Sequence, residues 1–305
     1  MASLPPVLHL DILKEILSFL HPRQSIRLRR LCRDINSLIL SKHFAKQNLS
    51  RFVSRRSPPD SKGFNTLEFD WFHWPESFAV VYVERWKSHQ SHLWWGENAV
   101  RTGKIPRALQ LMTGLVYLNL GMGRLKGEIP LELTTIVSLV SLDLGYNRLE
   151  GSIPPSIGNL QNLRLLKLNG NLLTGSIPME ICKLRNLVEL MLSRNKLAGQ
   201  IPAEIGNLVN LKELLLRENS LSGPIPLSIG QCTRLTDLYL QNNKLEGPIP
   251  SELGQCLRLE NVYAHNNQLS GPLPQSLVSL PRLAMFDVRN NAGLYCDFEF
   301  PKLVS

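Results

Sequence analysis

The sequence is poor in cysteine, and what it has is not paired. Its 305 residues include five, Cys32, Cys182, Cys232, Cys256 and Cys296. An odd count without close spacing argues against a disulfide framework. Cys232 and Cys256 stand one 24-residue step apart, so two readings stay open: a bridge between them, or two reduced thiols packed as small apolar groups. No Cys/His spacing fits a zinc site, and the HxxH of His89 and His92 carries none alone. No apolar stretch reaches the about 18 residues of a membrane span. Asp11, Lys14 and Glu15 break the first apolar run, which excludes a signal-peptide core, and Met1 reads as a true start. One N-x-S/T sequon is present, Asn48-Leu49-Ser50, and it lies outside the repeats described next. There is no GxSxG, HExxH or GxxxxGK[ST] motif. The expectation is a chain without catalytic residues, cofactor or metal.

Charge is unevenly placed. The formal net charge is +9. Residues 1–60 hold 11 Lys or Arg against 4 Asp or Glu, a net of +7, which leaves +2 for the other 245. The basic run Arg27, Arg29, Arg30 and Arg33 lacks the interleaved aromatics that stacking on bases requires. It reads as a solvated face or a rim that meets acids, not as a nucleic-acid patch, and nothing marks a membrane surface.

What is abundant is repetition. Asn147, Asn171, Asn195, Asn219, Asn243, Asn267 and Asn291 stand 24 residues apart. Ile105-Pro106 opens a series of seven Ile-Pro pairs on the same beat, and Leu273-Pro274 continues it. A fixed period of this size signals a solenoid. Within one unit, Leu163, Leu166 and Leu168 alternate at their end as a strand with one buried face does. Asn171 marks a turn whose free backbone groups an Asn side chain can bond. Gly175 permits a conformation other residues resist. Pro178 stops the strand. Ile181, Leu184 and Leu187 return to the core. No unit buries its leucines alone. Stacked, Leu118, Leu142, Leu166, Leu190, Leu214 and Leu238 form one internal column, each contributing about 1.5–3 kcal/mol.

These units resemble the plant-type leucine-rich repeat, LxxLxLxxNxLxGxIPxxLGxLxxL, over residues 105 to about 294. The resemblance implies a right-handed superhelix with a parallel β-sheet on its concave side, and a concave side that binds proteins or peptides. Gly123 stands where the pattern has Asn and Ala264 where it has a core Leu, so looser coils are expected there.

In that geometry the positions between the core leucines face outward. Tyr117, Glu189, Glu213 and Asp237 belong to one column. Asp143, Lys167, Met191, Leu215, Tyr239, Tyr263 and Asp287 belong to the next. Arg217, His265 and Arg289 belong to a third. Core positions are nearly constant while these vary. Glu189, Glu213 and Asp237 stack three acids, with Arg217 and Lys167 as candidate counter-charges. The stack is either a slot for a basic partner segment or a solvated polar face. Tyr239 and Tyr263 beside Leu215 and Met191 are either a contact hot spot or ordinary stacking along a sheet.

The first 56 residues do not follow the repeat. In LHLDILKEILSFL, Ile12, Leu13, Ile16, Leu17 and Leu20 recur at helical spacing. Further helices are expected over about 23–31 and 33–48. LHLDILKEILSFL, HPRQSIRLRRLCRDINSLI and Phe44 to Leu49 resemble the F-box. The departures are His9 where that family has Pro and Ile35 where it has Trp. The resemblance implies docking on the adaptor subunit of a cullin-RING ubiquitin ligase, through Leu8, Ile12, Leu13, Ile16, Leu17, Leu20, Ile26, Leu28, Leu31 and Ile35. These helices are alternatively a cap on the solenoid. Residues 57–104 begin with the linker-like SPPDSKG and hold all five tryptophans. They are assigned as linker and N-terminal cap of the raw solenoid end. Residues 105–296 are the repeats, about eight. Residues 297–305 are a tail in which no second cap is evident.

The sequence therefore points to an intracellular protein of the cytoplasm or nucleus that binds other proteins. Its leading reading is the substrate receptor of an SCF-type ligase. The alternatives are a repeat scaffold without a ligase link and an extracellular receptor-like binding domain.

Overall fold

Every 24 residues the chain closes one coil, and the leucine pattern fixes how. A computed structural model describes residues 41, 44–45, 76–84, 91–94, 102–299 and 303–304. The helices expected over 8–20 and 23–31 lie outside these residues. So does the expected third helix, apart from Ser41, Phe44 and Ala45, the last two helical and buried.

In the coil used above, Leu165–Lys167 is a strand. Leu163, Leu166 and Leu168 are fully buried. Leu166 pairs with Leu142 on one side and Leu190 on the other. Ten such strands make one sheet, from His92–Trp94 to Leu303–Val304, and each strand runs parallel to its neighbours. The Leu column continues as Val262 and Phe286, also buried.

The turn Asn ties coils together. Asn171 Nδ2 donates to the carbonyls of Leu144 and Leu168, both at 3.0 Å, and its Oδ1 accepts from Leu149 N at 3.0 Å. Two of those partners belong to the preceding coil. Asn147, Asn195, Asn219, Asn243, Asn267 and Asn291 make the same bridges. Each satisfies buried backbone groups that the turn would strand. The Ala264 coil keeps this ladder, since its carbonyl accepts from Asn267 and Asn291 at 3.0 Å.

Three features were not foreseen. The residue before each turn position, from Met122 and Tyr146 to Asn290, is left-handed. Asn at 242, 266 and 290 tolerates this best. Gly175, also at positive φ (76°), leads out of the turn toward a second parallel sheet on the flank, whose five-stranded part runs from Ala198–Gly199 to Gly293–Tyr295. Each Pro then starts a short 3-10 helix such as Met179–Lys183, which buries Ile181. Gly206 sits in the helix Ala203–Asn207, where a Cβ would lie 2.3 Å from the Ser228 carbonyl of the next coil. Glycine there sets how closely the convex sides stack.

The solenoid ends are covered. Helix Glu76–Tyr82 buries Phe78, Ala79 and Val81 beside the first coil, and Phe44 lies on Phe78 with ring centroids 6.0 Å apart. Leu93, in the first strand, is buried too. At the other end, Leu303–Val304 pairs with Met285–Asp287, and Leu294, Cys296 and Phe298 pack against the core. The tail that carried no recognisable cap thus contributes an edge strand and apolar cover. It was illegible because its apolar residues follow no period.

Candidate functional site: the concave wall

Strand alternation turns the core leucines inward and leaves the intervening side chains on the inner wall. The columns expected from the sequence are in register. Glu213 pairs with Glu189 and Asp237, Leu215 with Met191 and Tyr239, and Tyr239 with Tyr263. Lys167 is in register with Met191. Glu189, Met191, Glu213, Leu215, Asp237, Tyr239 and Tyr263 are half-buried, as wall residues should be when their stems pack on neighbours.

The acids differ in how they are held. Asp237 accepts from Asn261 Nδ2 and from Thr236 Oγ1, both at 2.8 Å. Neither Glu189 nor Glu213 has a side-chain hydrogen bond or close ion pair among the described residues. Burial raises the Glu213 pKa, and the charges of Glu189 and Asp237 raise it further. Lys167 and Lys212 oppose them. Arg217, expected as a counter-charge, instead has its Nε 3.8 Å from Glu218 on the adjoining turn. Lys212 stands just before the strand and was missed, because it lies one position outside the columns read from the pattern.

Beside the acids runs the apolar shelf. Tyr239 and Tyr263 meet edge to face with centroids 4.9 Å apart, a favoured arrangement of two aromatic quadrupoles. Burial, then Asp237, raises the Tyr239 pKa. In the third column, Ser193 and Gln241 flank Arg217. They are 7% and 5% exposed, and Ser193 Oγ and Gln241 Oε1 have no hydrogen-bond partner among the described residues.

At the edges of the wall Tyr117 is exposed and stacks on His92 at 4.6 Å. Asp143 is half-buried and accepts from Gly145 N at 2.9 Å. Asp287 departs from the expected open face. It is 2% exposed, bonded by Arg289 Nη2 at 2.8 Å and placed 3.0 Å from His265 Nδ1. The hydrogen bond from Arg289 holds its carboxyl below the ordinary range. Arg289 folds back over its own strand, so Asp287 braces that end of the wall instead of facing a partner. The ten apolar positions assigned to adaptor docking, from Leu8 to Ile35, lie outside the described residues.

Family models match on both sides of this organisation. A leucine rich repeat model matches residues 137–197 and a second matches 210–232 and 234–256, while an F-box domain model matches residues 6–47. The chain is a leucine-rich repeat protein with an F-box domain. Its fold class is the plant-type solenoid, a parallel sheet on the concave side, and both matched families are interaction modules. Among solved structures, this leucine-rich repeat protein is similar to the ectodomain of the Arabidopsis thaliana receptor kinase GASSHO1/SCHENGEN3, solved in complex with CASPARIAN STRIP INTEGRITY FACTOR 2. Identity is 42% over 62% of this chain and 23% of that one, with a TM-score of 0.62. The plant peptide hormone receptor RGFR1, in complex with RGF2, is 38% identical over 65% of this chain and 31% of that one, also with a TM-score of 0.62. A plant ice-binding protein is 28% identical over 67% and 73% of the two chains, with a TM-score of 0.52. The chain thus spans under a third of either receptor structure. No curated protein sequence matches it. Among the described residues no helix is long and apolar enough to cross a membrane, and no cluster of His, Cys, Asp or Glu is fit for a metal ion.

Proposed function

We propose that this leucine-rich repeat protein is the substrate-recognition subunit of an SCF-type cullin-RING ubiquitin ligase, working inside the cell in the cytoplasm or nucleus. The observation that carries this is the F-box match over residues 6–47 on the same chain as an inner wall of varied side chains. The F-box helices dock on the adaptor through the apolar set from Leu8 to Ile35. The concave wall holds the protein to be modified. Such a receptor performs no chemistry. It raises the effective concentration of target at the ligase. About forty residues bury too little apolar surface to be stable alone, and adaptor contact supplies the remainder.

The thiols agree with a reducing compartment. Cys182, Cys232 and Cys256 are free and buried. The two that stand one step apart lean on carbonyls instead of each other: Cys232 Sγ lies 3.5 Å from Ile205 O and Cys256 Sγ 3.6 Å from Ile229 O. A plant peptide hormone receptor similar to this chain was solved in complex with RGF2, which supports a short polypeptide segment as what the wall holds.

Replacing both Ile16 and Leu17 with Asp tests the ligase reading. Loss of co-purification with the adaptor, with the circular dichroism of the repeats unchanged, is expected. Adaptor binding retained by that variant rules the reading out.

A further inference from the structure

This inference rests on the concave wall being a protein-binding face, and narrows it to one strip. On a chain whose net charge is +9, the middle of the wall is acidic. Glu213 is in register between Glu189 and Asp237 on strands about 4.8 Å apart. Asp237 already has hydrogen bonds on both oxygens, while the carboxylates of Glu189 and Glu213 have none among the described residues. Like charges at this spacing repel, and Lys167 and Lys212 offset them only in part. Two residues further along the same strands the wall is apolar, with Met191, Leu215 and Tyr239 half-buried.

The far side of the strip carries an independent sign of something missing. Gln241 Oε1 and Ser193 Oγ are buried without a partner among the described residues. A covered acceptor with no donor destabilises the fold unless another molecule supplies one. From acid to apolar shelf to Gln241, the outward positions are two residues apart, roughly 6.7 Å, which is also the spacing of alternate side chains in an extended peptide.

We propose that this strip takes an extended segment of the partner protein in which an Arg or Lys stands two residues from an apolar side chain. The cation lies over Glu189 and Glu213. The apolar group rests on Leu215 and Tyr239, and Gln241 turns its covered Oε1 outward to accept from a backbone N–H of the segment. Charge complementarity selects the segment and the apolar shelf retains it.

Fluorescence anisotropy on the full chain, at low salt, with three fluorescein-labelled synthetic peptides tests this. The first carries Arg and Leu two residues apart in a Gly/Ser background. The second has Glu for the Arg, and the third has Ser for the Leu. The first binds at least about tenfold more tightly than the others. Glu213→Lys reverses the preference toward the Glu peptide. The near-isosteric Glu213→Gln, which keeps the wall's shape, lowers affinity for the Arg peptide alone. Equal binding of all three peptides overturns the proposal, as does unchanged binding of the Arg peptide by folded Glu213→Lys. The double Asp variant at Ile16 and Leu17 separates this from the ligase reading. Adaptor capture lost with peptide preference intact is the result expected when the strip works independently. Peptide discrimination absent while adaptor capture persists overturns the strip and leaves the ligase reading standing.

Discussion

Leu214 and Leu215 are the same residue in adjacent positions of one strand, and they do different work. Leu214 is fully buried between Leu190 and Leu238. Leu215 is half-buried between Met191 and Tyr239. The first column must repeat, because every coil presents the same cavity to fill. The second is free to vary, because its far side is open. A half turn of the backbone therefore divides residues that build the solenoid from residues that give it a partner.

The buried thiols test that division most strongly. Burial pushes Cys232 up to about 12 and Cys256 up to about 11. Since only the thiolate is the nucleophile, Cys232 in the folded chain should react with iodoacetamide at pH 8 roughly a thousandfold more slowly than an unfolded thiol. Mass spectrometry before and after adding urea reads this. Ready alkylation of Cys232 in the folded chain breaks the distinction between core and wall.

Truncation comes next. Leu214→Ala should cost about 2–5 kcal/mol in urea unfolding, whereas Leu215→Ala should cost under about 1 kcal/mol because it leaves no closed cavity. Equal losses would erase the comparison. Asn219→Ala strands the N–H of Leu197 and removes one of the two Asn donors from each of the carbonyls of Leu192 and Leu216, which keep Asn195 and Asn243. It should cost at least about 1–3 kcal/mol by the same measurement.

The smallest effect sharpens the contrast, because it runs the other way. Glu213 faces Glu189, Asp237, Lys167 and Lys212, and its folded pKa is raised. The fold therefore favours the protonated form, and ionised Glu213 costs stability at neutral pH. Glu213→Gln should be more stable than the wild type at pH 7, by under about 0.5 kcal/mol for so exposed a group. The gain should fade as pH falls through the raised pKa toward the ordinary carboxylate value, where the wild type becomes protonated too. Paired melts at pH 7 and pH 4 check the sign. A wall residue whose removal stabilises the fold is held there by something other than folding.

Much of this was legible in the sequence. The 24-residue beat gave the solenoid, and Leu166 with Asn171 gave the strand and ladder, because buried positions leave little choice of residue. The columns of the wall followed from alternation alone. The flank sheet was not legible. Its strands, such as Ser220–Gly223, are held by backbone bonds that any side chain allows. The burial of Asp287 was missed because it depends on Arg289 folding back, a contact that no spacing rule expresses. Nor could the pattern show that Gln241 would lack a partner, since that depends on every neighbour at once. The left-handed residue before each turn did leave a trace, in the doubled Asn at 242–243, 266–267 and 290–291.

The uninterrupted step, with a bridging Asn in nearly every coil, makes the inner wall a ruler. Inserting one copy would move the marks on either side of it apart by about 4.8 Å, while each mark kept its own surroundings. A guest lying along the axis would then be measured in whole rungs, and reach could be altered by duplication without redesigning a single contact.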